Sequence, residues 1–525
     1  MNIAFNHIKN IPQLIKDFLN DDLGFAGDKI FSLDNISKQI ELKQKSFPIA
    51  NREVLHASLS KQLQSSKLTD LQKQNLELLK DEETFTITTG HQLNLFTGPV
   101  FFIYKILQTI KTANFLKEKF PTKNFVPIFW MATEDHDFDE IDHFKTENHF
   151  YQTKAKQGGA VGRIKVEDQF FISEFEKEFK DHVFGTELIL MMKEAYKVGN
   201  TFAEATRIIG QNLFADYGLL MLDGDDKDLK KLMIPTFKKE LLNEQLFKTT
   251  AEKRQLLEQK YHKVQVNPRE INLFYLSETR NRIEKNDGIY KVLDTDISFS
   301  EDEILEELNN FPEKFSPNAV LRPAYQESIL PNLAYVGGNA EIMYWLELPD
   351  FFNSVELPFP ILIPRNSLLF LNEKTFKKIE KLNLTIAEFF EDFSVIIKKH
   401  LVENHPLHEL LIQQEEDFKN RFSVLKDEAG LTDISFKNLV DAEETRQLKS
   451  FKRMQKRLLR AERIKQGEKL KQYEDLFLKV HPGGIWQERQ FNFSVFFADA
   501  GRDWLKSCYD MMNVEKSELI ISHLI

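Results

Sequence analysis

From Thr84 to Tyr104 the chain carries no Asp, Glu, Lys or Arg, yet the middle of that apolar run, Thr88-Thr89-Gly90-His91-Gln92-Leu93-Asn94, is polar. Thr84–Thr88 alternates apolar and polar residues, as a strand does. Pro99 suits the first turn of a helix. Ile103, Ile106, Leu107, Ile110, Ala113 and Leu116 continue that helix at the 3.6-residue period. Phe125–Met131 reads as a second buried strand, so the segment predicts a βαβ unit. Each strand ends in polar, ligand-capable residues. Open parallel sheets bind ligands just outside the carboxyl ends of their strands.

The same reading extends along the chain. Residues 1–80 predict helices, with leucines near helical spacing from Leu55 to Leu79. A helical stretch over 187–217 leads to a strand at 218–222 and an acidic turn at Asp223, Asp225 and Asp226. Residues 260–295 are β-rich, with a turn at Asn286-Asp287-Gly288. Ser300 and Glu303 form a capping box. Sheet character resumes over 318–365, where one segment ends at Val336-Gly337-Gly338 and a last strand is expected at 359–363. Beyond Leu371, Thr385 and Glu388 form another capping box. Two long helices are expected, at 385–429 and 435–478, joined near Gly430-Leu431-Thr432-Asp433. Phe451, Met454, Leu458, Ala461 and Ile464 form an apolar stripe, as a packed helix pair requires. The expected organisation is an α/β parallel-sheet core in two parts, 81–244 and 316–370. Around it come a helical segment at 1–80, an insertion at 245–315, an antiparallel helical arm at 371–480 and a C-terminal segment at 481–525 packing on the core.

Composition narrows the class. A chain of 525 residues with 42% hydrophobic and 29% charged residues predicts two to four globular domains. The net charge of −11 gives no general attraction to nucleic acid or anionic lipid. One cysteine, Cys508, excludes an internal disulfide framework and reads as a small buried hydrophobe. The start, Met1-Asn2-Ile3-Ala4-Phe5, lacks the basic flank and apolar core of a secretory signal. The polar residues at Thr88–Asn94 argue against a membrane span, since hydrocarbon would leave them unpaired. A cytosolic protein is expected.

Neither GxxxxGK[ST] nor GxGxxG is present. Gly90 and Gly98 let the backbone approach a ligand, and amides at Thr97 and Gly98 at a helix start favour an anion. His91 can add a charge-assisted bond and Asn94 a neutral one. The competing reading is a structural turn. Glu134-Asp135-His136-Asp137-Phe138-Asp139-Glu140 gathers five carboxylates and an imidazole at a strand end. Such a group can hold an ammonium, sugar hydroxyls or a cation, or act as a base. His136, His143 and Asp137 fit no standard zinc spacing, so a metal-free site is preferred. Arg322, Gln326, Glu327 and Glu341-Ile342-Met343-Tyr344-Trp345 place charges among apolar residues, where each must be paired or hold a ligand. Arg365 can take a carboxylate or phosphate in bidentate fashion. Gly158-Gly159-Ala160-Val161-Gly162-Arg163 reads as a hairpin turn ahead of a phosphate turn. The run of basic residues from Lys449 to Lys471 reads as a solvated face complementing the acidic first arm helix. A nucleic-acid stripe is the lesser reading.

Thr88-Thr89-Gly90-His91-Gln92-x-x-Leu95-Phe96-Thr97-Gly98-Pro99 resembles the first signature of the cysteine-adding enzyme family of bacillithiol biosynthesis, BshC. Phe129-Trp130-Met131-Ala132-x-Glu134-Asp135-His136-Asp137-Phe138-Asp139-Glu140-Ile141 resembles its second. Arg322-Pro323-x-x-Gln326-Glu327 with Glu341-x-x-Tyr344-Trp345 is similar to its third. Pro364-Arg365-x-Ser367 and Gly483-Gly484-x-x-Gln487-Glu488-Arg489-x-x-Asn492 also match. The resemblance implies a Rossmann-like core with helical insertions, a coiled-coil arm and a homodimer. It also implies amide formation between the cysteine carboxyl and the glucosamine amine of glucosaminyl-malate. The chain departs from class I synthetase cores in its histidine signature and in lacking a KMSKS loop. No cofactor is fixed, and ATP or another nucleotide stands open as the activating cosubstrate. The residues placed in catalysis are His91, Asn94, Asp135, His136 and Asp137. Gly90, Gln92, Thr97, Gly98, Glu134, Arg322, Gln326, Glu327, Glu341, Tyr344 and Trp345 are placed around the substrates. Arg365, Ser367, Gln487 and Arg489 are placed at a nucleotide. Two other classes stay open at this point: a nucleotidyltransferase or RNA-modifying enzyme, and a non-catalytic dimeric assembly protein.

Overall fold

The computed structural model describes residues 1–154, 159–167, 169–262, 264–403 and 405–524. The chain falls into two compact units. One holds Met1–His7, Ile11–Phe370 and Glu488–Ile525, and the other holds Ile8–Asn10 and Leu371–Gln487.

The first unit is built on five parallel strands: β1 (Thr84–His91), β2 (Asn124–Met131), β3 (Leu220–Asp223), β4 (Asn332–Gly337) and β5 (Ile361–Pro364). They lie in the order β3-β2-β1-β4-β5. Helix α1 (Phe101–Lys119) carries the chain from β1 to β2. This is a Rossmann-like arrangement, and its strand order reverses between β1 and β4. In register, Gly90 lies beside Trp130, Met131 beside Asp223 and Gly337 beside Pro364, so the carboxyl ends of the strands form one edge.

The polar residues of β1 are accommodated by its neighbour β4. Thr86 and Thr88 donate to the side-chain oxygen of Asn332, and Thr89 donates to the carbonyl of Val336. Asn332 in turn donates to Glu327, whose other oxygen is held by Lys43 at 2.9 Å. On the apolar side, Phe85 and Ile87 pack with Leu333, Val336 and Ile361 under Ile36 and Ile40 of the helix Leu33–Ser46. Burying each such side chain stabilises the fold by about 1.5–3 kcal/mol.

Between β3 and β4 the chain makes a separate antiparallel sheet, ordered Ser298–Phe299, Ile289–Val292, Arg280–Asn286, Leu273–Leu276 and Phe315–Pro317. Asp287 and Gly288, both at positive φ, turn its central hairpin. The capping box at Ser300 and Glu303 opens the helix Glu301–Asn310. Cys508 is buried and free. Among the described residues no helix is long and apolar enough to cross a membrane.

Several expected boundaries move. The strand expected to be last, at 359–363, forms as Ile361–Pro364 but is not last. Ser367–Leu371 and Glu518–His523 form a three-stranded sheet with Asn2–Ala4. The helix expected from Pro99 begins at Phe101. Phe96, Thr97 and Gly98 fold a tight turn with φ of 45°, 70° and 62°, which uses up the residues before it. The helical stretch at 187–217 is two helices, Gly185–Ala195 and Phe202–Phe214. Gly158 lies outside the described residues. The amides of Val161 and Gly162 donate to Asp135 and Thr133 carbonyls, so these two buttress the end of β2.

In the second unit, Pro406–Gly430 and Ile434–Lys465 pair as a coiled coil, followed by Gly467–Val480. The capping box at Thr385 and Glu388 exists but starts only the short turn Ile386–Phe390, so the long helix begins about twenty residues later than expected. The expected match of an acidic first helix to a basic second one is not what joins them. Among the described residues, Lys426 of the first helix bonds Asp441 and Glu444 of the second. The basic run from Lys449 to Lys471 makes no ion pair with the first helix among those residues. The apolar stripe is also only partly covered: Phe451 meets Phe418 at 5.9 Å, whereas Met454 and Ile464 are exposed.

Candidate functional site

A cavity of about 300 Å³ opens at the carboxyl edge of the sheet, where the strand order reverses. Gly90 and His91 enter it from β1 with Gln92 just beyond, and Trp130 and Met131 from β2 with Ala132 through Asp135 from the turn that follows. Arg322 comes from the start of α2 (Arg322–Ile329), and Tyr335 from β4. Glu341 and Tyr344 come from the next helix, α3 (Asn339–Trp345), and Arg280 and Pro317 from the antiparallel sheet. Gly90 eases this crowding. A methyl group there would lie 3.3 Å from Cβ of Trp130 and 3.5 Å from the Tyr335 hydroxyl.

Three carboxylates line the cavity, and their partners differ. Glu341 is bound by the buried Lys105 of α1 at 2.7 and 2.9 Å and accepts from the Tyr335 hydroxyl at 2.7 Å. Burial pushes its pKa up, but Lys105 and the Tyr335 hydroxyl together hold the carboxyl below its ordinary value. Glu134 lies 2.5 Å from the buried Lys230, and burial raises its pKa despite that lysine. Asp135 has no Lys or Arg within 4 Å among the described residues. Its oxygens accept from the Gln92 side chain at 2.8 Å and the His136 amide at 2.8 Å.

The two guanidiniums are bonded to neutral groups. Arg322 donates to the Gln326 side chain at 3.0 Å and lies over the rings of Tyr335 and Trp130 at 5.5 and 5.8 Å. Neither Glu327 nor Glu341, its two expected partners, forms an ion pair with it: Glu327 is taken by Lys43 and Glu341 by Lys105. Arg280 packs on Phe274 and donates to Ser316, to the Pro317 carbonyl and to His136. An arginine can only donate, so Nδ1 of His136 accepts at 2.9 Å. His136 is therefore neutral with its proton on Nε2. Burial first, and then Arg280, lower its pKa, which agrees.

His91 has a pKa lowered to about 3, by burial first and then by Lys105. Its imidazole is neutral and offers a neutral hydrogen bond in place of the charge-assisted one its residue type suggests. The folded state then binds fewer protons than the unfolded state below the ordinary histidine value of 6.5. Stability should fall as pH drops from there toward about 3. Denaturant unfolding of His91→Gln is expected to show a shallower loss over that window. Matching acid limbs in variant and parent would show that His91 is not held neutral.

The structure separates other expected site residues from the cavity. The amides of Thr97 and Gly98 donate to the carbonyls of Asn94 and Leu95, so they are closed to an anion. Gly98 packs on Asn94, whose amide would lie 2.9 Å from an added Cβ. Asn94 donates to the Glu140 carbonyl at 3.4 Å. Asp137 is exposed, and His143 bonds Asp142. Trp345 is buried against Tyr335, with ring centres 4.6 Å apart. Arg365 is bound in bidentate fashion by Glu488 at 2.9 and 2.7 Å, and Ser367 donates to the same carboxylate at 3.0 Å. Arg489 lies over Phe101 at 5.5 Å, and Gln487 falls in the second unit.

Arg280 and Tyr335 line the cavity, Lys105 and Lys230 bind its carboxylates, and all four went unmarked in the sequence. Lys105 did leave a signal. It interrupts the apolar run Ile103-Tyr104-Lys105-Ile106-Leu107, and a charge there must find a partner.

Comparison with known proteins adds to this geometry. Residues 1–366 match the model of the bacillithiol biosynthesis BshC N-terminal Rossmann-like domain, and residues 368–524 match that of the BshC C-terminal coiled-coil domain. A relative from Flavobacterium johnsoniae is 42% identical over 95% of each chain, and one from Flavobacterium psychrophilum is 42% identical over 97% of each. A relative from Bacillus cytotoxicus is 28% identical over 92% of this chain and 95% of its own. All three carry the name "Putative cysteine ligase BshC".

Proposed function

The chain belongs to the BshC family of bacillithiol biosynthesis, and on that premise we propose that it is a ligase joining the carboxyl group of L-cysteine to the glucosamine amine of glucosaminyl-malate. The charge inventory of the cavity is the observation that carries this reading. Glu341 is cancelled by Lys105 and Glu134 by Lys230, which leaves Asp135 facing Arg280 and Arg322. The cavity therefore holds one net positive charge, with separate places for an anion and a cation. Glucosaminyl-malate complements it, with two carboxylates and one amine. Arg322 takes a malate carboxylate through its remaining donors, and the Asp135 side takes the amine. A bidentate guanidinium suits a carboxylate better than a lysine would.

A carboxylate is a poor acylating agent, so the cysteine carboxyl needs activation, and a nucleoside triphosphate cosubstrate belongs to the proposal. Arg365 and Ser367 are held by Glu488, which leaves only the buried Nε of Arg365 without a partner. A cytosolic location belongs to the same reading.

Mass spectrometry tests it. Purified protein with cysteine, glucosaminyl-malate and ATP should yield cysteinyl-glucosaminyl-malate. No product with ATP, with any other nucleoside triphosphate, or without one would overturn the assignment.

The reading also makes the chain a homodimer joined through its arm. In support, Val424, Leu431, Ile434 and Leu439 are exposed apolar residues near the hairpin tip, and such patches mark interaction surfaces. Leu439 is 60% exposed, so Leu439→Asp leaves the hairpin core alone. The variant should sediment and scatter light as a monomer with unchanged helix content. A dimeric variant, or a monomeric parent, removes this role from the arm.

A further inference from the structure

We propose that Asp135 is the carboxylate that binds the substrate ammonium and accepts a proton from it, and that Gln92 is the residue that positions it. This rests on the ligase reading above. Of the three carboxylates that share the cavity, two are already engaged by lysines. Glu341 is engaged by Lys105 through both oxygens and by Tyr335, and Glu134 is engaged by Lys230. A carboxylate already bonded to a buried lysine gains little from a second cation. Asp135 accepts only from neutral donors. It is half-exposed to the cavity, where an ammonium can reach it.

The neighbouring imidazole cannot take this part through Nδ1, because Arg280 occupies that atom. The proton transfer is simple to balance. One N–H bond of the ammonium breaks, an O–H bond forms on Asp135, and two charged groups become two neutral ones. The nitrogen keeps the lone pair that an acyl transfer needs. Gln92, which follows the end of β1, spans to the segment after β2 and fixes the direction of the carboxylate. Its amide nitrogen donates to Asp135 and to Glu140 at 2.8 and 2.9 Å, and two carboxylate acceptors identify that atom as the NH₂.

Calorimetric titration of the full chain with glucosaminyl-malate and with its N-acetyl derivative tests the assignment. Wild type should bind the free amine about thirtyfold more tightly, as expected for a charge-assisted bond. Asp135→Asn, which keeps an oxygen for the His136 amide, should bind the two forms about equally. Gln92→Glu sets a like charge beside Asp135. It should move the acid limb of the binding profile up by about one pH unit, whereas a purely structural role would weaken binding at every pH without moving the limb.

A preference that survives in Asp135→Asn, an unmoved limb in Gln92→Glu, or a wild type that ignores the amine would each overturn the proposal. These binding measurements are read whether or not product forms, so they fail separately from the ligase assignment, which product detection alone decides.

Discussion

Arg322→Met is expected to lower product formation about 100- to 1,000-fold, the usual loss when a charge-stabilising donor is removed from a site, with no loss of stability. Arg322 is half-buried, bonded to neutral groups and without a carboxylate within 4 Å among the described residues. Burial costs that guanidinium desolvation energy, against which the Tyr335 and Tyr344 hydroxyls and, from beyond ion-pair distance, Glu341 favour its charge. Methionine keeps most of the volume between Trp130 and Tyr335 and removes the cost. The melting temperature should stay level while the initial rate collapses. Arg322→Lys should recover little, because an ammonium cannot offer the planar pair of donors. A variant that ligates at the parental rate would show that Arg322 is structural. One that loses activity and stability together would show that its bonds to Gln326 and the rings hold the fold.

Lys43→Met carries the largest expected effect on stability. Lys43 and Glu327 are both fully buried, 2.9 Å apart, and Glu327 also anchors Asn332 and through it Thr86 and Thr88. Removing the lysine strands a buried carboxylate, a change that costs about 3–5 kcal/mol. The cost should depend on pH with a definite sign. The pKa of Glu327 is already raised, by burial above all, and losing Lys43 raises it further. A carboxyl with a raised folded pKa is stable when protonated and loses stability as pH climbs through that value. The deficit of Lys43→Met against the parent should therefore be greatest at neutral and alkaline pH and should shrink in acid. Chemical unfolding at several pH values measures it. A deficit that is constant or grows in acid would show that Glu327 does not bear the loss. Pairing the change with Glu327→Gln should recover part of the stability, since an amide can still bond Asn332 without a buried charge.

The periodicity of the chain determined the βαβ unit at the site by itself. The apolar alternation at Thr84–Thr88, the helical spacing from Ile103 to Leu116 and the strand at Phe125–Met131 all appear in place. Local rules reach that far because the hydrophobic period and the backbone period are the same quantity. The motif glycines were legible for a related reason: Gly90 and Gly98 sit where a Cβ would press on Trp130 or Asn94. Capping chemistry was legible too, although Thr385 and Glu388 show its limit. A capping box fixes where a turn starts and says nothing of how long the helix runs.

What the sequence could not decide was the pairing of charges. Whether Arg322 meets Glu327 or Glu341 depends on Lys43 and Lys105, which come from helices more than two hundred residues away in the chain. Arg365 reads as free in the sequence, but Glu488, from the far end of the chain, binds it. The amides of Thr97 and Gly98 read as open, but the positive-φ turn uses them internally. The neutrality of His136 follows only from Arg280, a residue of the inserted antiparallel sheet. A charged side chain gains or loses its availability according to its nearest opposite charge in space, and burial makes that choice energetically large. Sequence spacing carries no trace of it. The sequence alone thus determined the βαβ unit at one side of the cavity, whereas the helices Arg322–Ile329 and Asn339–Trp345, where only sheet character was expected, and the choice of which charged groups are left for a substrate came from tertiary packing.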